Sequence, residues 1–584
     1  MPAAVPTSAA ELDFSPRQVP FPSPRDWRDH FIYHLLIDRF DDNKRDTPLY
    51  DPATAPRGRD VADGYKFQGG KLKGITRRLP YLQDLGCTAI WISPPFKNRV
   101  DDEFSYHGYG IQNFLDVDPR YGTTEDLQEL VREAHRRGMY VILDIVINHT
   151  ADAWAYPNNE GLPFNEGGRY EFGFWRKAFG GEIPPGQEHE LGPDDGVWPV
   201  ELQHPDAFKR RGQIRNFDSY TPEEGIDGDF VSLKDLDLNK PEVLDALIRC
   251  YKYWIAIADV DGYRLDTVTH TEPTATAIFC NSIREYCKSI GKDNFFLYAE
   301  IVADDKRLRR YIGTNMPAAD EVGERYPTFS AVLDFPMYFS LEEVIKGHKT
   351  PDELRERYES FRRFYRDFSE AGQYFVTFVD NHDQMSRPYR RFGNGVADHH
   401  LSILAVGYLL TNMGIPCVYY GTEQGFDGGG DADVYVRETM FGGQWGAFDT
   451  RNVHFFNPEN PIYKAIGRVA RIRSREKALR YGREYFRPIS GDGEHFGNPT
   501  VPGKSTVAFS RVLDVEEVLV CLNLDAGDRD DCVMVDKLLT PPGSYMTDLL
   551  NGGAPHKVEA NSDGEAYVRV PLMGHRMAIL KKEV

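Results

Sequence analysis

DGYRLDTVTH, residues 261–270, reads as a short apolar strand that ends on an acid, with Arg264 two positions before Asp266. Residues two apart on a strand face the same side, so this arginine and this aspartate point the same way. The pattern recurs. NFFLYAEIV (294–302) carries Glu300 at the end of its apolar run, and YFVTFVDNHD (374–383) carries Asp383. The end of a buried parallel strand ordinarily starts a turn. Gathering carboxylates there costs desolvation energy, which a protein retains only where the acids are used. Three strand-end acids, with Arg264 and nearby histidines, therefore mark a reaction site.

Outward from these runs, short apolar segments alternate with helical patterns from about residue 30 to about 475, the signature of repeated βα units. Strands are expected at 31–37, 88–93, 140–147, 262–265, 295–299, 331–335, 374–379 and 416–420. Eight such strands predict a closed (β/α)8 barrel of the α/β class. Thr123 and Asp126 form a capping-box pattern at the head of a helix that stops at Gly138. Further helices are expected at 241–258, 272–290, 351–370, 399–412 and 461–475. The alternation breaks between Thr150 and Asp235 in a stretch rich in Gly, Pro, Trp and Phe, which predicts an inserted subdomain after the third strand. After about residue 475 short alternating strands predict an antiparallel β-sandwich. The expected division is an arm at 1–29, barrel at 30–150, insertion at 151–235, barrel at 236–475 and sandwich at 476–584.

A chain of 584 residues is long enough for two or three domains. Its formal net charge of -21 disfavours a nucleic-acid partner, which needs a basic face. No signal-peptide pattern opens the sequence and no window is apolar for long enough to span a bilayer, so the expected setting is cytoplasmic, without a membrane partner. Seven scattered cysteines lack metal-ligand spacing and read as buried thiols.

The chain resembles the α-amylase family of glycoside hydrolases in seven motifs that occur in the family's order. They are YHGYGIQNFLDVDPRYGT (106–123), DIVINH (144–149), SLKDLD (232–237), GYRLDTVTH (262–270), YAEIV (298–302), FVDNHD (378–383) and GIPCVYYGTE (414–423). The resemblance implies a (β/α)8 barrel with a domain B inserted after strand three and an antiparallel domain C. It implies Asp266 as nucleophile, Glu300 as general acid and then base, and Asp383 as the third acid that holds sugar hydroxyls. Their chemistry agrees: Arg264 would keep Asp266 ionised, and apolar Ala299 and Ile301 would favour a protonated Glu300. By the same resemblance Tyr109 is an aromatic platform, and His149 and His382 bind hydroxyls. His107 and Arg264 complete the expected substrate-binding set. Thr267, after the nucleophile, goes with α-1,4 rather than α-1,6 cleavage.

Calcium is the expected cofactor, held as in relatives by Asn148, Asp235 and the carbonyl of His270; oxygen ligands of this kind suit that ion. A second calcium loop of some relatives resembles DRFDDNKRD (38–46), but its further aspartate is replaced by Lys71, which predicts a built-in cation there. No organic cofactor is expected. The implied function is a retaining hydrolase of α-1,4 bonds in maltooligosaccharides or starch-derived glucans. An α-glucanotransferase or a trehalose-forming isomerase could use the same residues, and a non-catalytic barrel is the reading from another class. The sequence does not fix an oligomeric state.

Overall fold

Eight strands close into one parallel barrel: β1 (Ile32–Leu35), β2 (Ala89–Ile92), β3 (Tyr140–Ile145), β4 (Gly262–Leu265), β5 (Phe296–Ala299), β6 (Ala331–Leu333), β7 (Phe375–Thr377) and β8 (Ile415–Tyr419). Each pairs with its neighbours in chain order, and β8 returns to β1. This computed structural model describes the chain except residues 1–4, 45–46, 51–62, 159–160, 313–327, 365–367, 384–388, 443–452 and 584. Every expected strand is present, most of them shorter than their apolar runs, because apolar residues continue past the last ladder bond into the loops.

Strand alternation sorts the side chains into two layers. Ile32, Ala89, Trp91, Ile142, Phe296, Tyr298, Ala331, Leu333, Val376, Ile415 and Cys417 form the cluster that fills the barrel interior. The intervening residues, such as Tyr33, Ile90, Leu143, Tyr263 and Leu297, join the larger cluster with the surrounding helices. Gly262 faces inward, where a Cβ would meet the carbonyl oxygen of Phe296 at 2.7 Å. The same period of two carries His34, Asp144, Arg264, Asp266 and Glu300 onto the inward face at the C-terminal ends of their strands. A floor of large apolar side chains thus supports a polar layer above it.

The outer helices begin and end where their caps stand. Thr124–Arg136 has the expected capping box: the Thr123 hydroxyl accepts from Asp126 N at 3.3 Å and the Asp126 carboxylate accepts from Thr123 N at 3.1 Å. Pro241–Ala258, Pro273–Ser289 and Pro461–Arg475 each open on proline, which lacks the N–H that the first turn leaves unpaired. His400–Thr411 and Asp352–Phe364 occupy two further expected positions, residues 365–367 of the latter expectation lying outside the described residues.

Between β3 and β4 the chain leaves the barrel. A three-stranded sheet, Trp154–Ala155 with Phe174–Arg176 and Glu182–Ile183, is built on the fully buried indoles of Trp154 and Trp175. The excursion returns through a short antiparallel pair in which Asp235 lies opposite His149 and Lys234 opposite Thr150. That pairing sets the end of the insertion beside the end of β3.

The C-terminal segment forms one nine-stranded antiparallel ladder doubled over on itself, so that Leu519, Cys521 and Leu580 of one arm share a core with Val533, Val568 and Val570 of the other. Alternation in the sequence reveals five of its strands. Arg483–Phe486, Ile489–Ser490, Tyr545–Asp548 and His556–Ala560 are shorter or charged, and only pairing with neighbours makes them strands. The arm before β1 is held in place: the Ser8 hydroxyl donates to Glu201 at 2.6 Å, and Phe21 stacks on His135 with ring centroids 4.0 Å apart. All seven cysteines are buried free thiols.

Arg473 ties barrel and arm to the short helix Lys477–Tyr481 that precedes the C-terminal sheet. Its buried guanidinium donates to the carbonyls of Leu410 (3.0 Å), Leu479 (2.9 Å), Arg28 (2.9 Å) and Gly414 (3.1 Å). An Arg473→Met variant keeps the bulk and strands those acceptors. It is expected to lose about 3 kcal/mol of stability, read as a lowered denaturation midpoint, while its acids retain wild-type chemistry. An unchanged midpoint would refute this role.

Candidate active site

The registers that close the barrel also assemble the site. Leu265 lies opposite Ala299, so the next residues on those two strands, Asp266 and Glu300, stand side by side. Arg264 lies opposite Asp144 on β3. One guanidinium, with no accessible surface, holds all three acids: its Nη1 donates to Asp144 Oδ1 at 2.9 Å and to Asp266 Oδ1 at 2.6 Å, and its Nη2 is 3.0 Å from Glu300 Oε2.

Thr267, immediately after Asp266, has φ 44°, a left-handed conformation that a β-branched residue rarely adopts. The turn aims its N–H at Glu300 Oε2, 3.1 Å away. Backbone strain of this kind is found where a site demands a particular direction. It leaves Glu300 Oε1 as the oxygen able to carry a proton.

Burial, followed by the negative charges of Asp266 and Asp383, outweighs the Arg264 guanidinium and pushes the Glu300 carboxyl up to about 8. The expectation that Glu300 is protonated at neutral pH therefore agrees with its surroundings, although neighbouring carboxylates add to the apolar enclosure that was expected to cause it. Burial also pushes Asp144 up to about 7, against Arg264 and the hydrogen bonds it accepts from Trp91 Nε1 (3.0 Å) and Tyr109 OH (2.9 Å).

Asp383 completes the triad of acids. Burial would raise its pKa, but His382 and Arg437 together hold it below the ordinary aspartate range. His382 Nε2 lies 2.9 Å from Asp383 Oδ2 and 2.7 Å from the Tyr109 hydroxyl. Since that hydroxyl donates to Asp144, both neighbours act as acceptors and Nε2 carries the imidazole proton. In this structure His382 Nε2 thus orients Asp383 and Tyr109, while its Nδ1 has no hydrogen-bond partner among the described residues.

His149 fits the expectation of hydroxyl binding. Its ring is buried and kept neutral, its pKa pushed down to about 4 chiefly by burial, and Nε2 has no partner among the described residues. An orphaned ring nitrogen beside the acids is available to a ligand hydroxyl. His107 Nδ1 accepts from Tyr109 N at 3.0 Å and supports the loop that presents the tyrosine. Tyr109 itself is 8% exposed, its ring nearly parallel to that of His382 at 5°.

Two groups of residues carried no recognisable signal in the sequence. Arg437, beyond β8, donates to Asp383 Oδ1 (2.8 Å) and to the His382 carbonyl (3.0 Å). From the insertion, Phe230 lies 6.1 Å from His149, 5.4 Å from His270 and 4.6 Å from Phe217, with Phe217 40% exposed: an apolar wall at the mouth of the site. Arg437 lacks a motif around it, and the phenylalanines are scattered through a segment without periodicity.

Asn148, Asp235 and His270 do come to one junction, but not as an ion-binding set. Asn148 Nδ2 donates to Asp235 Oδ1 at 2.8 Å, and His270 Nδ1 pairs with the Gly225 carbonyl at 2.7 Å. The second Asp235 oxygen faces the buried ammonium of Lys209 at 3.1 Å, which also contacts Glu272 Oε1 at 2.8 Å and the Ile226 carbonyl at 2.5 Å. Calcium needs six to eight oxygens at about 2.3–2.6 Å, whereas the Asp235 carboxylate is already committed to Asn148 and to the fixed positive charge of Lys209. The residues present do not fit the ion expected there. At the Asp-rich turn, Lys71 Nζ donates to the Arg120 carbonyl, while Arg77 and Arg78 close off the Asp41 carboxylate at 2.7 and 2.6 Å.

The chain is similar to known proteins. The family model for the α-amylase catalytic domain matches residues 34–442. The α-amylase of Streptomyces lividans is 28% identical over 90% of this chain, and the match covers 57% of that protein. A cyclomaltodextrin glucanotransferase of Bacillus sp. (strain 17-1) is 26% identical over 93% of this chain and 68% of its own length. Among solved structures, the Geobacillus thermoleovorans α-amylase complexed with acarbose superposes with a TM-score of 0.67 at 26% identity, over 96% of this chain and 100% of that one. CldA, a cyclomaltodextrin glucanotransferase with a three-domain ABC distribution, gives 0.69 at 25% identity, over 96% and 100%. A closed barrel, a shared guanidinium between strand-end acids and a family match across most of the barrel lead to one conclusion: the chain belongs to the α-amylase family of glycoside hydrolases.

Proposed function

We propose that the protein is a retaining α-glucan hydrolase that cleaves α-1,4 bonds of maltooligosaccharides through a glycosyl-enzyme intermediate on Asp266. The observation that carries this reading is the adjacent pair Asp266 and Glu300, joined through Arg264, in which one carboxyl is ion-paired and the other is pushed up to about 8 by its surroundings. Retention requires two carboxyl groups about 5–5.5 Å apart, and neighbouring parallel strands run about 4.8 Å apart.

Asp266 Oδ1 is held by Arg264, leaving its other oxygen to attack the anomeric carbon as the glycosidic bond breaks. Glu300 gives its proton to the departing sugar oxygen, so the leaving group departs neutral. The ionised Glu300 then takes a proton from a water, or from a sugar hydroxyl, as that oxygen displaces Asp266 and restores both carboxyls. The ionised Asp383 and the free Nε2 of His149 are suited to gripping the hydroxyls of the reacting sugar and to stabilising the positive charge that develops on it. The aromatic wall of Phe217 and Phe230 offers stacking surface to further sugar units.

Transfer to a sugar acceptor in place of water is the second reading, favoured by the similarity to cyclomaltodextrin glucanotransferases. It uses the same first step. Product analysis from maltoheptaose tests both: glucose and short oligosaccharides support hydrolysis, cyclic or longer products support transfer, and no turnover of any α-glucan would overturn the enzyme reading.

Asp266→Asn should lose roughly 10⁴-fold or more of kcat while remaining folded. Because the Asp266 charge raises Glu300, the same variant should titrate Glu300 at lower pH, measurable by infrared difference spectroscopy.

The proton on Glu300 also sets a pH limb. A carboxyl raised to about 8 is protonated below that pH, so kcat/KM should fall as pH rises through it. Glu300→Gln should slow maltooligosaccharide cleavage by at least roughly 10²-fold and abolish the limb, yet spare the first step with α-maltosyl fluoride, whose leaving group needs no proton. Equal loss on both substrates would assign the acid elsewhere.

A further inference from the structure

The junction where relatives in this family are expected to carry calcium is built around a side chain. Lys209 comes from the insertion, Asp235 from its returning strand, and Glu272 stands at the head of the helix Pro273–Ser289 after β4. The Lys209 ammonium, on a side chain only 4% exposed, lies 2.8 Å from Glu272 Oε1, 3.1 Å from Asp235 Oδ2, 3.6 Å from Asp227 Oδ1 and 2.5 Å from the Ile226 carbonyl. These are oxygen atoms of the kind a hard cation collects: three carboxylates and a backbone carbonyl, converging from the insertion and the barrel. Asn148, at the end of β3, is tied to the same Asp235 at 2.8 Å.

Three features distinguish this from an ordinary ion pair. The amine is buried, and a lysine is seldom fully buried without strong compensation. Its partners come from separate segments, so the amine adds to the Asn148–Asp235 and His270–Gly225 bonds across the neck of the insertion. Asp235 also stands opposite His149, so whatever holds Asp235 fixes the strand carrying a residue of the active site. The second expected cation position follows the same logic, its Asp41 carboxylate held by Arg77 and Arg78.

We propose that the Lys209 ammonium is the resident cation of this junction, doing the structural work of a divalent ion, and that the protein is metal-independent because the cation is part of the chain. The corollary is a latent site. Removing the ammonium leaves Asp235, Glu272, Asp227 and the Ile226 carbonyl facing a vacated space, with the side-chain oxygen of Asn148 free to turn inward. A small residue at position 209 converts the junction into a calcium site. This inference does not depend on the chemistry at Asp266 and stands or falls separately from it.

The test compares melting temperature and bound metal for three proteins, each after chelator treatment and dialysis and then with calcium chloride added. Wild type should hold no stoichiometric calcium by emission spectrometry and should melt at the same temperature with chelator and with calcium. Lys209→Met, which keeps the length and removes the charge, should melt lower in both conditions, since its alkyl chain still fills the space. Lys209→Ala should melt lower with chelator, rise with calcium in proportion to the logarithm of its concentration, and bind about one ion per chain. Stoichiometric calcium in wild type, or a chelator-sensitive melting temperature, would overturn the proposal. So would a Lys209→Met protein that melts like wild type, or a Lys209→Ala protein indifferent to calcium. Should the alanine variant fail to fold without metal, refolding with calcium supports the proposal and failure to refold with it counts against it, while the wild-type measurement decides independently.

Discussion

The guanidinium of Arg264 is the constraint on which the rest of the site depends. It is fully buried, and a charge there is tolerable only if anions surround it. The barrel supplies three, from β3, β4 and β5, and in exchange the fork fixes where each carboxylate lies. That exchange is asymmetric in effect. Asp266 receives a short hydrogen bond from Nη1, whereas Glu300 sits at the other arm of the fork, enclosed and facing two further carboxylates. One cation shared among several acids cannot neutralise them equally. At Glu300 burial and the neighbouring carboxylates outweigh the pull of the arginine, so two neighbouring strand ends carry carboxyls in unlike surroundings.

The layers around that arginine explain why the arrangement is rigid. Below it the barrel interior is filled by Trp91, Phe296, Tyr298 and their neighbours, leaving no room for the fork to retreat. Above it the loops are braced separately: Tyr109 through Asp144 and His382, Asp383 through Arg437, Glu300 through the left-handed turn at Thr267. Positional precision of this kind accounts for much of what such a site can do, since acids pre-oriented for attack and protonation need no reorganisation when the bond breaks.

Electrostatics also connects the site to the architecture. The insertion is held at its neck by Lys209 among carboxylates, and the paired strands there carry His149 to the edge of the cleft. A protein-borne cation cannot dissociate. A loose ion would couple the position of His149 to metal concentration, whereas a lysine couples it only to folding. The C-terminal sheet is joined differently, through its own Arg511, whose guanidinium donates to the carbonyls of Thr411 and Leu479.

The chain sequence determined the barrel, because its evidence is local: eight short apolar runs alternating with helical patterns, a helix announced by Thr123, and an insertion where that alternation breaks. It also singled out acids for the site, since Asp266 and Glu300 directly follow β4 and β5, whereas Asp383 lies beyond the end of β7. Tertiary structure alone decided how these groups share charge. That His382 spends its ring proton on Asp383 and Tyr109, that Arg437 reaches back from beyond β8, and that four short strands belong to the C-terminal sheet are facts of contact between residues distant in sequence. Lys209 is the plainest case. The family resemblance implies a metal site at Asn148, Asp235 and His270, and only the fold brings a lysine from the insertion within 3.1 Å of Asp235. Periodicity encodes which way a side chain points, but not which distant charge will meet it there.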